Sequence, residues 1–243
     1  MKKILLYIMF GGVLFTSCKT DEDLTVADEV VDIATQNTYD DQAAQKYLTT
    51  NYFDSQGKIV AYSDTDTSDD NYPSLSTYNV TTLPSGVVVV MIPTAQPSPG
   101  KTINSEDVLR LTSISKSVVA KKVNDIPTFT TYQDFINTIN TGVPEVDPFY
   151  FYAKNSILNG NARSYFEIEG FQEGIKLFKS YEIPDVNNYN MQGVIIVPSR
   201  AAFARDSNAL DALISGQVLS FVDRSFIFNV QVYKTTTRTT AQY

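Results

Sequence analysis

The sequence predicts an α+β fold in which a twisted, mostly antiparallel sheet wraps around one short helix. Several runs of β-branched and aromatic residues are bounded by proline or glycine, which is the pattern of separate strands. Phe171, Ile175 and Phe178 lie at positions i, i+4 and i+7, which is the spacing of one helix face. Strands with a single short helix between them favour an antiparallel sheet. The apolar share of 43% is that of a globular chain.

Residues 1–17 have the pattern of a signal peptide. Two lysines form a short positive segment, and residues 4–15 are an apolar run. A bilayer span needs about 20 apolar residues, so this run is too short to cross a membrane but fits a signal peptide. It leads into Cys18, the single cysteine. The segment resembles the lipobox of bacterial lipoproteins, in which the signal is cut before a cysteine whose sulfur is lipidated, although Phe15 is larger than the residue usual there. An ordinary secretory signal ahead of a buried cysteine is the alternative.

Residues 18–45 are predicted to form an acidic tether. The stretch 20–45 holds eight acidic residues and neither Lys nor Arg, so its charges repel one another and favour an extended chain. Residues 19–23 resemble the lysine-plus-acids signal of surface-exported lipoproteins of Bacteroidota; a plain solvated tether is the alternative. Lipidation at Cys18 would anchor the chain to a membrane without a transmembrane helix.

Residues 46–82 are predicted to form an extension that contains a short helix and a short strand. Apolar residues from Ala43 to Leu48 recur at roughly helical spacing, which indicates a helix in that region. Residues 58–62 have the composition of a strand. The acid-rich stretch 63–76 that follows reads as a loop.

Residues 83–234 are predicted to form the folded domain, and the Thr-rich residues 235–243 a disordered tail. The helix of this domain is expected to begin near Phe171. Its strands are expected at residues 87–92, 108–113, 148–152, 194–198 and 226–232.

The composition excludes many kinds of chemistry. The chain has no histidine and one cysteine, which excludes Ser-His-Asp triads, Cys-His pairs, His-based metal centres and cysteine clusters. Its net charge of −8 does not provide the basic surface that nucleic acid requires. Glycine-rich phosphate-binding motifs are absent from the sequence. We therefore expect no nucleic-acid partner, no metal and no cofactor.

Two acidic clusters are weak candidates for a site. In a calcium loop counted from Asp64, the sixth position needs Gly and the twelfth needs Glu, but these positions hold Asp69 and Leu75. A solvated loop is the better interpretation. Glu167 and Glu169 could serve as the paired carboxylates of a glycosidase, but they alternate with apolar residues as the solvent face of a strand would.

Three ordered blocks point to a family. Residues 168–175 read IEGFQEGI, residues 194–203 read VIIVPSRAAF and residues 225–232 read SFIFNVQV. They resemble the FKBP-type peptidyl-prolyl cis-trans isomerases, which have an Ile-x-Gly-Trp-x-Glu-Gly helix start, an Ile-Pro-x-x-Leu-Ala-Tyr-Gly loop and a Leu-Val-Phe-Asp-Val-Glu-Leu final strand. The segment Leu83-Pro84-Ser85-Gly86 is similar to the family's opening, so the resemblance covers residues 83–234.

The resemblance implies an apolar pocket for proline without an acid or a base. Phe171 stands where the family has the Trp of the pocket floor, and Phe203 stands where its loop has a Tyr. Ser113 replaces a pocket Tyr, and Thr130 replaces the pocket Asp if Phe129 matches the family's Phe-Asp pair. A plain core role fits the implied residues equally well. The implied pocket residues are Phe129, Phe149, Phe151, Ile168, Phe171, Phe203 and Phe228.

Prolyl isomerisation does not need a histidine, because no covalent bond is made or broken. Its barrier of about 18–20 kcal/mol is the loss of amide resonance, and an aromatic cup favours the less polar twisted amide. The resemblance therefore implies a membrane-tethered isomerase or chaperone that acts on proline-containing segments of envelope proteins. A non-catalytic binding or scaffold lipoprotein is the alternative. Either would be lipid-anchored at the outer membrane, on the periplasmic face or the cell surface.

Overall fold

The computed structural model describes residues 30–183, 189–212 and 220–243. The predicted signal peptide and Cys18 lie outside the described residues. Contacts divide the chain into residues 1–31 and residues 32–243, and both large hydrophobic cores lie within the second unit. Within the described ranges, no helix is long and apolar enough to cross a membrane.

The described residues form four α-helices and eleven β-strands. The α-helices are α1 (Ile33–Thr50), α2 (Thr138–Thr141), α3 (Asn155–Leu158) and α4 (Glu169–Ile175). The strands are β1 (Asn51–Phe53), β2 (Ile59–Ala61), β3 (Asn79–Thr82), β4 (Val88–Met91), β5 (Lys101–Thr102), β6 (Val108–Val123), β7 (Ile126–Asn137), β8 (Glu145–Val146), β9 (Lys179–Ser180), β10 (Gly193–Val197) and β11 (Arg224–Thr236).

One antiparallel sheet organises the fold. Its strand order is β3-β4-β10-β11-β6-β7, and β8 pairs with β6 beside this path. The long strands β6 and β11 pair over most of their length at its centre. The β1–β2 hairpin lies outside this sheet, and so does the short pairing of β5 with β9, which are distant in the chain. The predicted α+β class, with a mostly antiparallel sheet packed against a short helix, is confirmed, and the structure adds a second helix that the prediction did not place against the sheet.

Helix α4 packs on one side of the sheet, which we call the α4 face. A Cβ atom on Gly170 or Gly174 would come within 2.5 Å of side chains on β10, so these two glycines allow the helix to lie close to the strand. The predicted stripe from Phe171 to Phe178 is fully buried there. The helix itself ends at Ile175, before the last residue of the stripe.

Helix α1 covers the opposite side of the sheet, which we call the α1 face. Apolar residues between Ala43 and Leu48 pack against the sheet from this helix. The helix begins directly after Asp32, because the Asp32 carboxylate accepts a hydrogen bond of 3.0 Å from the Thr35 amide and caps the first turn. The extended tether predicted over residues 18–45 is therefore wrong for its second half, which is helical.

The acidic side chains of α1 have partners in the fold. Asp40 is buried and accepts hydrogen bonds from the backbone amide and the hydroxyl of Ser199, at 2.8 and 2.6 Å. Burial raises the pKa of Asp40, although these hydrogen bonds oppose the rise. Asp41 lies 2.7 Å from the guanidinium of Arg200. These partners are 159 residues away along the chain, so a local charge pattern does not reveal them.

Two further segments have a structure other than the one that the sequence predicts. Residues 148–152 form a turn rather than a strand, since the amides of Phe151 and Tyr152 both donate to the Pro148 carbonyl, at 3.0 and 3.1 Å. The alternating aromatic residues there reflect burial in a loop. The main sheet also begins with β3, before the predicted domain boundary at residue 83.

The prediction that residues 235–243 form a disordered tail is also wrong in part. Strand β11 continues to Thr236. Arg238 is buried and forms two hydrogen bonds with the Asp147 carboxylate, at 2.9 and 2.5 Å. Its guanidinium also lies 4.0 Å from the ring centroid of Tyr152. A charge-assisted contact of this kind fixes the end of the chain on the fold.

Candidate active site

Six of the seven predicted pocket residues lie in or beside one core on the α4 face. The ring of Phe171, in the first turn of α4, has its centroid 4.5 Å from that of Phe228 on β11 and 6.3 Å from that of Phe151. Ile168, the residue before α4, is buried in the same core. We call Phe171, Phe151 and Phe228, together with Phe135 and Tyr150 described below, the aromatic cluster.

Tyr150 occupies the middle of the aromatic cluster. Its ring is stacked on Phe228 with a centroid distance of 5.7 Å, and it makes edge contacts with Phe171 at 5.2 Å and Phe135 at 5.3 Å. Tyr150 is 1% exposed and Phe171 is fully buried. A proline ring that entered this cup would therefore have to displace the Tyr150 side chain.

A carboxyl group holds the Tyr150 hydroxyl in place. The hydroxyl donates a hydrogen bond of 2.6 Å to Oε2 of Glu145 on β8. Burial raises the pKa of Glu145 to about 7, and the hydrogen bond from Tyr150 reduces that rise. Burial also raises the pKa of Tyr150, so the phenol keeps its proton and remains the donor. The amide of Ile168 donates to the Tyr150 carbonyl at 2.8 Å, which fixes the backbone as well.

Phe129 is misplaced by the sequence prediction. It pairs with Ala120 and packs on the α1 face, with its ring 6.0 Å from that of Tyr47. The match of Phe129 and Thr130 to the family's Phe-Asp pair therefore fails, because Phe129 and the aromatic cluster lie on opposite faces of the sheet. Phe135 contacts Tyr150 and Phe228 in its place.

Two irregularities in the β6–β7 pairing explain why Phe135, rather than Phe129, contacts the aromatic cluster. The register shifts between Ser115 and Lys116 and again between Ser117 and Val119, and each shift adds one residue to β7. A β-bulge of this kind changes which side chains point to each face. The sequence does not reveal these bulges, because a prediction from simple alternation assumes an unbroken register.

Phe203 forms the open edge of this core. It is 4% exposed, packs 6.3 Å from Phe226 and lines a cavity of about 430 Å³. The rest of the cavity wall comes from residues 161–169 and 200–207 and is largely polar. Ala204, with φ +48°, turns the loop here, and its amide donates to the Ser199 carbonyl at 2.9 Å. Phe149 is partly buried, 6.0 Å from Tyr150.

Ser113 stands in a row of small residues on the α4 face. Ser113 and Ser115 on β6 pair with Val230 and Phe228 on β11. Both serine hydroxyls are buried and have no hydrogen-bond partner among the described residues. Where the resemblance implies a tyrosine at Ser113, the chain therefore supplies a small side chain that leaves room for the neighbouring aromatic rings.

Glu167 supports the loop above α4. Its carboxylate accepts hydrogen bonds from the Ala153 amide at 2.8 Å, from Arg163 at 3.1 Å and from Gln172 at 3.0 Å. Gln172 also donates to the Phe151 carbonyl at 2.6 Å. A carboxylate that accepts these hydrogen bonds holds the loop together. Because Glu167 is used in this way, it does not support the interpretation of Glu167 and Glu169 as the paired carboxylates of a glycosidase. In the described parts of the chain, no group of three or more acidic or cysteine side chains could hold a metal ion.

No family model matches the chain, and no curated protein matches its sequence. Solved structures that are similar in part include two proteins of bacteria. FkpA from Escherichia coli has 18% identity and a TM-score of 0.35, over 65% of this chain and 52% of its own. A peptidyl-prolyl cis-trans isomerase from Pseudomonas syringae pv. tomato has 9% identity and a TM-score of 0.33, over 65% of this chain and 80% of its own. The matched region thus spans about half of FkpA, and these scores are too low to establish a common fold or activity.

Proposed function

We propose that this protein is a membrane-tethered chaperone of the FKBP type that binds proline-containing segments of envelope proteins and isomerises them slowly. The observation that carries this proposal is the meeting of Phe151, Phe171 and Phe228 at the start of α4, with Phe203 at the edge. Apolar aromatic walls of this kind suit the pyrrolidine ring and the twisted amide. The three sequence blocks that resemble the family contain these residues, apart from Phe151.

The edge at Phe203 is the entrance that we propose for a polypeptide. The cavity there combines one aromatic wall with polar groups, including Arg200 and Glu169, as expected for a site that contacts both an apolar ring and a peptide backbone. Because Phe203 replaces the family's Tyr, the site lacks a hydroxyl that the resemblance assigns to ligand binding. We therefore expect weak binding and low turnover.

A non-catalytic binding module is the second candidate, and Tyr150 favours it. The Tyr150 ring fills the cup, and its hydroxyl bond to Glu145 holds it there. Isomerisation would require this side chain to swing out, whereas binding at the edge would not. The two candidates therefore differ in what a smaller residue at position 150 does to turnover.

The tether that we propose is a lipid on Cys18. The short positive segment, the apolar run of residues 4–15 and the position of the sole cysteine support it. It would anchor the chain to the outer membrane, on the periplasmic face or the cell surface.

The test is a protease-free isomerisation assay on a series of X-Pro peptides, with binding measured by calorimetry on the same peptides. The chain from residue 19 onward is suitable because residues 32–243 hold both cores. We compare the wild type with Tyr150→Leu, which empties part of the cup, and Tyr150→Phe, which keeps the ring. Turnover should rise about tenfold or more in the leucine variant, and Phe203→Tyr should tighten binding.

Binding without acceleration, in the wild type and in Tyr150→Leu alike, would assign the protein to the non-catalytic candidate. Absence of peptide binding in the wild type and in Phe203→Tyr would refute both candidates. Thermal unfolding of each variant checks that the fold is intact.

A further inference from the structure

A second cavity lies on the α1 face, on the other side of the sheet from the aromatic cluster. Its volume is about 350 Å³, which lies within the range of small-molecule sites. Helix α1, the hairpin β1–β2 and strands β6, β7 and β11 line it. The family resemblance covers residues 83–234 and assigns nothing to this position, where four of the nine lining residues come before residue 83.

Isoleucine side chains form much of the inner wall of this cavity, and the side chain of Asn229 supports it. Ile59 comes from the hairpin, and Ile114 and Ile227 come from the sheet. The Asn229 side-chain amide, which also lines the cavity, donates to the carbonyls of Gly57 and Gly193, at 3.0 and 2.9 Å. These two hydrogen bonds tie the hairpin turn to the sheet. The cavity between the hairpin and the sheet is therefore already formed without a ligand.

One side of the cavity is polar and positively charged. Lys116 lines it, with its Nζ 5.9 Å from the ring centroid of Tyr132 at the mouth. The Lys116 ammonium pairs with the Asp134 carboxylate at 3.9 Å, and the two side chains are 45% and 72% exposed. An exposed pair at this distance contributes little, so the ammonium is available to another anion. Burial raises the pKa of Tyr47, and its hydroxyl remains a hydrogen-bond donor at neutral pH.

We propose that this cavity binds an acyl chain that ends in a carboxylate, such as a fatty acid of medium length. The chain would lie against Ile59, Ile114 and Ile227, and the carboxylate would lie near Lys116. Apolar walls beside a single cation and phenolic donors complement such an amphiphile in both shape and charge. The volume favours a chain of medium length over a long one.

The first test fills the cavity. Decanoate is titrated by calorimetry, below its micellar concentration, into the chain from residue 19 onward. Ala61 is exposed and lines the cavity, so Ala61→Trp should occupy the space without disturbing a core. We expect the affinity for decanoate to fall about tenfold or more. Val60→Trp is the matched control, because Val60 is exposed on the same strand but does not line the cavity.

The second test concerns charge. Lys116→Met keeps an unbranched apolar side chain and removes the cation, and we expect about two- to fivefold weaker binding of decanoate. Asp134→Asn removes the competing carboxylate and should strengthen binding by a similar factor. Decanol, which has the chain but no charge, should bind the wild type more weakly than decanoate and should not respond to either substitution.

Three outcomes would overturn this proposal. Failure of decanoate to bind the folded wild type would refute it. Binding of decanoate to Ala61→Trp as tightly as to the wild type would place the ligand outside this cavity. Equal affinity for decanol and decanoate would refute the carboxylate ligand. Thermal unfolding of each variant excludes loss of the fold as the cause of weaker binding.

Discussion

At the scale of single residues, Tyr150 decides how the aromatic cluster behaves. A cup for a proline ring and a hydrophobic core use the same side chains, and what separates them is whether the centre is empty. Here the Tyr150 ring contacts Phe171, Phe135 and Phe228. The site is therefore a packed core that could become a cup if one side chain moved, and Glu145 holds that side chain through its hydroxyl.

The response of Phe171 to enlargement follows from this packing. Phe171→Trp restores the residue that the family resemblance implies, but Phe171 is fully buried between other rings. We expect the larger ring to overpack the core, which costs about 1–3 kcal/mol and lowers the Tm by roughly 2–12 °C. Thermal unfolding followed by circular dichroism measures this effect. Tyr165→Trp, at a partly exposed ring beside the core, is the control and should change the Tm little.

An unchanged Tm together with tighter binding of proline peptides would contradict this expectation for Phe171→Trp. In that case the cup would have room that the packing of Tyr150 does not indicate, and Phe171 would be its floor.

Glu145 gives the stability a pH dependence. Its pKa in the folded protein is about 7, above the ordinary value of 4.5. Between these two pH values the folded state binds more protons at this group than the unfolded state does, so stability should fall as the pH rises from 4.5 to 7. Glu145→Gln can still accept the hydrogen bond from Tyr150 and should flatten this dependence. The midpoint of urea unfolding across that window measures it.

Asp40 also has a raised pKa and contributes in the same direction, so the difference between wild type and variant isolates Glu145. Glu182→Gln, at an exposed carboxylate, should leave the profile unchanged and serves as the control. Parallel curves for the wild type and Glu145→Gln would show that Glu145 titrates as an ordinary carboxyl.

At the scale of secondary structure, local patterns predicted the strands that are buried and regular. Residues 87–92, 194–198 and 226–232 appear as β4, β10 and β11 with small differences at their ends. Strict alternation and β-branched runs are sufficient there because one or both faces are buried. The same reasoning failed for residues 148–152, where alternating aromatic residues lie in a turn, and for Phe129, where bulges in β7 change the face.

The contact of α4 with the sheet offers a test at this scale. Gly174 has Ile195 on β10 as its nearest neighbour, and an added Cβ would lie 2.5 Å from that side chain. Gly174→Ala should raise helix propensity but force this buried contact apart, so we expect a net loss of about 1–3 kcal/mol in the free energy of unfolding. Glu169→Ala, exposed in the first turn of the same helix, should change it by about 0.5 kcal/mol or less. Chemical denaturation measures both variants, and equal stability for the two would mean that the helix can move away from β10.

At the scale of the whole unit, the sheet carries a helix on each face, and long-range contacts join α1 to the loop near the cavity at Phe203. Asp40 binds Ser199, and Asp41 binds Arg200, which also lines that cavity. The sequence predicted a helix near Ala43 but not its docking, because every partner is distant in the chain. A repelling acidic stretch and a capped, paired helix have the same local composition, so only the tertiary contacts distinguish them.

The tether is tested on the whole chain. We expect Cys18 to carry a lipid, since a cysteine directly after a short apolar signal matches the substrate of lipoprotein processing. Metabolic labelling with a clickable fatty acid should mark the wild type and leave Cys18→Ala unmarked, and the wild type should sediment with membranes. Ser17→Ala keeps a small residue before the cysteine and should label like the wild type.

Because residues 32–243 form a unit that does not include Cys18, the Cys18→Ala variant should unfold at the same temperature as the wild-type chain. Equal labelling of Cys18→Ala would show that the sulfur is not the lipidation site, and the membrane tether would then be withdrawn from the proposed function without affecting the site on the α4 face.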